Sequence, residues 1–139
     1  MTIDKFTYNR LCSAFSPVPP EAGGIIGSVA GCVCAFVYDP GTPNLTRGCY
    51  TPNIDFLNQT IAQWYTQNIT FCGIVHSHPS KQPMLSEADL FYIKTIMDSM
   101  PPYINALYFP VIIPGEGIFP YLAQRESAVI LDTIIIKEN

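Results

Sequence analysis

The chain has 139 residues, of which 48% are apolar and only 13% charged, and its formal net charge is −4. A chain of this size can bury a core without staples, so the composition excludes a disordered polypeptide and points to a single domain spanning residues 1–139. A mildly acidic chain without a basic run lacks the clustered Lys and Arg that nucleic acid or an anionic membrane requires.

No apolar run approaches the roughly 20 residues of a membrane span. The opening MTIDKFTYNR has no apolar leader segment, so a cytoplasmic location is expected. The five cysteines, Cys12, Cys32, Cys34, Cys49 and Cys72, are an odd count that argues against a disulfide framework. Cys32 and Cys34 lie in an apolar run where core thiols are the simpler reading than a metal pair. Asn44-Leu45-Thr46, Asn58-Gln59-Thr60 and Asn68-Ile69-Thr70 match glycosylation acceptors, which carry no meaning without secretion.

Along the chain, residues 5–15 predict a short helix with Phe6, Leu11, Cys12 and Phe15 on its apolar side, ended by the prolines from 17 to 20. EAGGIIGSVAGCVCAFVYD predicts one or two buried strands, turning near 28–31. DPGTPN is loop chemistry. Residues 53–67 place Ile54, Leu57, Ile61, Trp64 and Tyr65 on one stripe, an amphipathic helix capped by Asn53 or Asp55. ITFCGIVHSH predicts a strand. Residues 87–99 predict a helix with Leu90, Ile93, Met97 and Met100 in register, and strands follow at about 104–113, 117–124 and 128–137. The order predicts an α/β fold with a mixed central sheet flanked by helices.

The segment VHSHPSKQPMLSEADL carries the chemistry. Both histidines of the chain, His76 and His78, are in it. Residues two apart on a strand face the same way, and their Cα atoms sit roughly 6.5 Å apart, so both rings can reach one ion. Pro79 ends the strand, and Ser86 and Asp89 open the next helix. Ser86-x-x-Asp89 is first of all a helix cap. The following loop can also swing Asp89 back to the rings, where the first-turn position keeps it ionised. Two imidazoles and a carboxylate are a ligand set for catalytic zinc, with a fourth position left for water. A capping Ser86 still has a proton to donate to a developing oxyanion.

Hydrolysis also needs a base that is not a ligand. Glu87 points elsewhere on its helix, and Glu116 in PGEG looks solvated. Glu21, leading into the strand GGIIGS, is the better placed candidate, because the glycines allow close backbone approach.

His76-Ser77-His78, seven residues, Ser86, two residues and Asp89 resemble the JAMM motif of the JAB/MPN metalloprotease domain, and Glu21-Ala22-Gly23-Gly24-Ile25-Ile26-Gly27 resembles that family's upstream element. The resemblance implies an MPN (JAB) fold, related to the cytidine deaminase-like architecture. It implies His76, His78 and Asp89 as ligands of one zinc per chain, Glu21 as general acid/base and Ser86 as the residue that helps hold the tetrahedral intermediate. Ser77 matches the small residue between the histidines and takes no direct chemical role.

One departure is Ser28, where many members carry Gly; here the glycine is one earlier, at Gly27. There is little room for the insertions of eukaryotic deubiquitinases, so the chain resembles the minimal bacterial type. The activity this implies is hydrolysis of an amide at the C-terminus of a ubiquitin-like or sulfur-carrier protein, alongside conjugation-pathway enzymes. Tyr50 and Arg47, in the loop from 39 to 53, could flank the site, though ordinary loop residues are the simpler reading. The apolar segment VILDTIIIK could pair with a second copy if it lies at a sheet edge. Two other readings stand beside this one: a non-catalytic MPN-type interaction module, and a metallopeptidase acting on a non-ubiquitin peptide.

Overall fold

The Gly-rich run folds as the hairpin expected of it. Strands β2 (Gly23–Val29) and β3 (Cys32–Asp39) pair antiparallel, and Ala30 and Gly31 turn the corner with φ of 51° and 79°. Two positive φ angles in a two-residue loop match the right-handed twist of the flanking strands. The computed structural model describes residues 1–18, 20–42 and 50–139. Arg47, the acceptor tripeptide starting at Asn44, Pro19 and Cys49 lie outside the described residues.

The other elements, in chain order, are β1 (Thr2–Asp4), α1 (Lys5–Ala14), α2 (Ile54–Thr66), β4 (Thr70–Ser77), α3 (Glu87–Ser99), β5 (Ala106–Ile113), β6 (Gly117–Gln124), β7 (Ile130–Leu131) and β8 (Ile135–Lys137). The strands form one mixed sheet in the order β7-β6-β5-β4-β2-β3-β1-β8. β4 pairs antiparallel with β2 and parallel with β5, so it sits at the centre.

Alternation along β4 divides the core. Val75 faces α1 together with Ile26 and Ile112, and there Leu11 of α1 and Phe15 just after it pack. Ile74 faces the other way with Ile25 and Phe109, under Leu57 and Trp64 of α2 and Ile93 and Met97 of α3. Gly27 makes room for α2, because a β-carbon there would collide with Trp64 and Ile69. The glycine read from the sequence as displaced therefore seats a helix.

Helices α2 and α3 match the expected spans within a residue, and Asn53, not Asp55, caps α2 by accepting from the Phe56 N–H. Their apolar stripes match only in part, with Leu57, Trp64, Ile93 and Met97 buried as expected. Ile54 and Tyr65 are exposed, Tyr65 by 85%, and Leu90 and Phe6 are also largely exposed. Each helix covers a single sheet face, so only a narrow line (Leu57, Thr60 and Trp64 on α2; Ile93 and Met97 on α3) reaches the core.

The strand expected at 104 starts at Ala106 because Arg125 takes the carbonyls of Met100, Pro101 and Ile104 and holds that stretch as a turn. The strand expected over 128–137 is broken in two. β7 pairs with β6 at one end of the sheet, and β8 pairs with β1 at the other. Only Asp132, Thr133 and Ile134 separate them, so the two ends of the sheet must curl together. The Asp132 carboxylate sits at this junction, accepting from the Met1 amine at 2.6 Å and from the Tyr108 hydroxyl at 2.9 Å. Burial, with that contact to Asp132, pushes the Tyr108 hydroxyl up to about 12. Among the described residues no helix is long and apolar enough to cross a membrane.

The α1 face yields a direct check. Leu11→Ala should lower the free energy of unfolding in urea by about 2–5 kcal/mol. Phe6→Ala, removing a side chain that is 64% exposed, should change it by no more than about 0.5 kcal/mol. Equal losses at the two positions would mean that α1 is docked by the broader stripe read from the sequence.

Candidate metal centre

β4 ends at Ser77, one residue earlier than expected. His78 nevertheless stays in line, because its N–H donates to Ile112 O of β5 at 2.9 Å. Both rings therefore keep the orientation set by strand alternation. His76 and His78 are buried, with their Nε2 atoms 2.8 Å apart and the ring planes at 70°.

The third group arrives from α3. Ser86 accepts from the Asp89 N–H at 3.0 Å, and Asp89 Oδ2 accepts from the Ser86 N–H at 2.9 Å, a complete capping box. The same carboxylate faces the imidazoles. Asp89 Oδ1 is 3.4 Å from His76 Nε2, and Oδ2 is 3.2 Å from His78 Nε2. The cap and the ligand readings of Asp89 are thus one conformation.

The donor set fits a metal. The ligand atoms of His76, His78 and Asp89 all lie within 4.8 Å of one another. His78 Nδ1 lies 2.7 Å from the Gln82 carbonyl. Nδ1 must therefore carry the proton, which leaves the Nε2 lone pair for an ion. Two histidines and one carboxylate match a catalytic zinc site with one position open.

The electrostatics point the same way. Burial opposes ionisation of Asp89, but the adjacent His76 and His78 rings and the Ser86 N–H outweigh it and hold the carboxyl well below the usual carboxylate range. Burial also disfavours the charged ring of His78. The Asp89 carboxylate, the Gln82 carbonyl and the charge of Glu21 nonetheless raise it above its ordinary value. The cleft attracts positive charge.

Glu21, His76, His78, Ser86 and Asp89 line a single cleft of about 540 Å³. All five residues singled out from the sequence come together there. Burial raises the Glu21 carboxyl above the ordinary glutamate value, and the two imidazoles and a hydrogen bond from the Tyr50 backbone N–H offset this only in part.

Tyr50 is more than a loop residue. Its hydroxyl donates at 2.8 Å to Asp39, a carboxylate only 1% exposed that also accepts from the Gly41 and Asn53 N–H groups. Burial and the bond to Asp39 lift the Tyr50 hydroxyl far above its ordinary value, so it stays a donor. The ring lies over Gly23, where a β-carbon would collide with it. Asp39 at the end of an apolar strand, followed by Pro and Gly, carries an Asx-turn signal; as loop chemistry alone it gave no hint of the site.

Glu116 was expected to be solvated. It is exposed, but its carboxylate accepts from the Ser80 hydroxyl at 2.8 Å and the Lys81 N–H at 3.1 Å, where Lys81 has φ of 64°. Tyr121 donates to Pro83 O at 2.7 Å. These bonds shape the loop that presents the Gln82 carbonyl to His78. The sequence offered no sign of either role, because both act on main-chain atoms across a loop.

No family model matches the sequence, and neither does any curated protein. Solved structures do match. The solution structure of a protein from Desulfitobacterium hafniense superposes with a TM-score of 0.72 at 18% identity, covering 99% of this chain and 93% of that one. The crystal structure of a JAB1/MPN domain protein from Archaeoglobus fulgidus superposes with a TM-score of 0.56 at 14% identity, covering 97% of each chain. The fold is MPN-like. Identities this low establish the fold alone, so the chemistry of this MPN-like chain rests on its own residues, among which His76, His78 and Asp89 could hold a metal ion.

Glu116→Ala should leave the fold intact and weaken metal binding by about tenfold, the low end for groups that orient a ligand from outside the first coordination layer, since Glu116 acts through the loop. Competition against a chromophoric chelator would read this. An unchanged affinity would show that the loop holds Gln82 without Glu116.

Proposed function

We propose that this chain is a zinc metalloprotease that hydrolyses an amide bond at the C-terminus of a ubiquitin-like or sulfur-carrier protein, as an isopeptidase or a peptidase. The observation that carries this reading is the convergence of His76, His78, Asp89, Glu21 and Ser86 on one cleft of an MPN-like fold.

His76, His78 and Asp89 would hold the ion. When bound, zinc supplies Lewis acidity toward the scissile carbonyl and makes a water acidic near neutral pH. The chain's residues do the rest. The Gln82 carbonyl keeps His78 in the tautomer that binds metal. The capping box keeps Asp89 oriented and ionised. Glu21 takes a proton from the attacking water and delivers it to the leaving amine. A carboxyl raised by burial suits both halves of that transfer better than an ordinary glutamate. Ser86 accepts from the Asp89 N–H and still has its own proton to donate to the developing oxyanion.

The substrate class comes from the resemblance of the motif to the JAB/MPN family. A ubiquitin-like tail is extended, and an open cleft beside strand ends suits an extended chain. MPN folds also include members that bind partners without cleaving them, and the tests below separate the two.

Metal analysis comes first. Purified with zinc supplied, the wild type should carry about one zinc per chain and His78→Ala very little, as expected of a three-ligand site. Cleavage of ubiquitin-like proteins bearing short C-terminal extensions should follow, with Glu21→Gln slower by about 10²–10⁴-fold. A zinc-loaded wild type that leaves every such amide intact would turn the reading toward an interaction module.

The pH profile tests Glu21 separately. The base acts deprotonated, so kcat/KM should fall as pH drops through the pKa of Glu21. That acid limb should be absent from the residual activity of Glu21→Gln. An acid limb that persists in Glu21→Gln would assign it to another group.

A further inference from the structure

Glu21 has no ladder of its own. β2 begins at Gly23, two residues later, and prolines precede Glu21 in the sequence. What fixes the main chain at Glu21 is therefore whatever fixes Ala22. Three hydrogen bonds do so, and all are shared with Ser77. The Ser77 N–H donates to Ala22 O at 2.8 Å, the Ala22 N–H donates to Ser77 Oγ at 3.0 Å, and Ser77 Oγ lies 3.3 Å from Ala22 O as a donor.

Main-chain pairing alone would satisfy the Ala22 carbonyl. The Ala22 N–H needs the serine hydroxyl. Ser77 is only 4% exposed, so no water replaces it readily. Alternation places its side chain on the α1 face of β4, with Val75 across the strand from the two imidazoles. The residue between the two histidines thus holds the peptide unit next to Glu21 without touching the ligand atoms. The Tyr50 N–H restrains the other end of the same residue, at the carboxylate.

We propose that Ser77 is the positioning residue for Glu21, its hydroxyl anchoring the Ala22 peptide unit and thereby setting where the Glu21 carboxylate stands beside His76, His78 and Asp89. This rests on the reading of Glu21 as the proton carrier. It gives the residue between the histidines a task that the motif spacing does not suggest. A hydroxyl on Cβ is required; methyl branching beside it is not excluded, so threonine should serve and alanine should not.

The test uses the cobalt(II)-loaded chain, whose visible absorption reports the metal's surroundings without any substrate. Wild type, Ser77→Ala, Ser77→Thr and Glu21→Gln are titrated from acid to alkaline pH. All four should take up cobalt equally, because no metal-binding atom is changed. Glu21→Gln should move the midpoint of the spectral change by about half a pH unit or more, the effect of losing a neighbouring charge. Ser77→Ala should move it in the same sense, and Ser77→Thr should return it to the wild-type value. The Ala22 amide should exchange with solvent faster in Ser77→Ala than in Ser77→Thr, read by NMR. If Ser77→Ala does not fold, Ser77→Cys keeps the size with a much weaker acceptor and should show the same shift.

A shift in Glu21→Gln with none in Ser77→Ala or Ser77→Cys overturns the positioning role and leaves the metal reading standing. A wild type that binds no cobalt, or a Glu21→Gln midpoint equal to wild type, overturns the reading of the site itself, and the role of Ser77 with it.

Discussion

The cleft depends on the antiparallel pairing of β2 with β4. Gly23 lies opposite His76 on one side and opposite Asp39 on the other, so one row across three strands carries a ring that could hold a metal ion, a bare backbone position and a buried carboxylate. The Tyr50 ring fills the space over the glycine. One step further along the pairing, Ala22 meets Ser77, which brings Glu21 to the cleft. A slip of one residue would turn His76 into the α1 core and carry Glu21 away, because side chains alternate with a period of two. Ile25 and Ile26, both fully buried on opposite faces, resist that slip from both sides.

Several groups at the site serve structure and chemistry in a single conformation. Ser86 and Asp89 close the first turn of α3, and that closure aims the carboxylate at the imidazoles. Asp39 satisfies two backbone N–H groups where the chain leaves β3, and in doing so holds the hydroxyl of Tyr50. Glu116 ties down a loop whose main-chain carbonyl sets the tautomer of His78. A helix cap or an Asx turn would form without a metal. Here each also fixes a residue that lines the cleft: Asp89, Tyr50 or Gln82. Reduced freedom in the ligands before binding lowers the entropy lost when an ion arrives.

The sheet is wide for a chain of this length, and its ends are managed by bringing them together. β7 and β8 belong to one short stretch of chain yet sit at opposite ends of the strand order. The Asp132 junction holds that curl by linking the first residue, the middle of β5 and the last strands. This arrangement explains why an apolar segment that looks like a single strand is divided. Its first half completes β6 and its second half completes β1, and a polar residue bridges the change of partner. It also explains the narrow helix stripes. A curled sheet presents a curved floor to each helix, so residues at the margins of an apolar stripe, such as Tyr65 and Leu90, are lifted into solvent.

The sequence by itself determined the local elements of this protein and singled out the candidate site residues. Periodicity located α1, α2, α3 and most strands, the capping pattern located the start of α3, and the spacing of His76 and His78 placed both rings on one face. Those features depend on neighbours within a few residues, so a one-dimensional pattern contains them. Only the tertiary structure decided the partnerships made across long sequence separations. These are Ser77 with Ala22, Tyr50 with Asp39 and Glu21, Glu116 with the loop behind His78, and the division of the C-terminal strand between two sheet edges. All but the Tyr50–Asp39 bond involve main-chain atoms, and main-chain atoms are the same at every position. No residue type marks which carbonyl or N–H will need a partner, and that need appears only once the strands are in register.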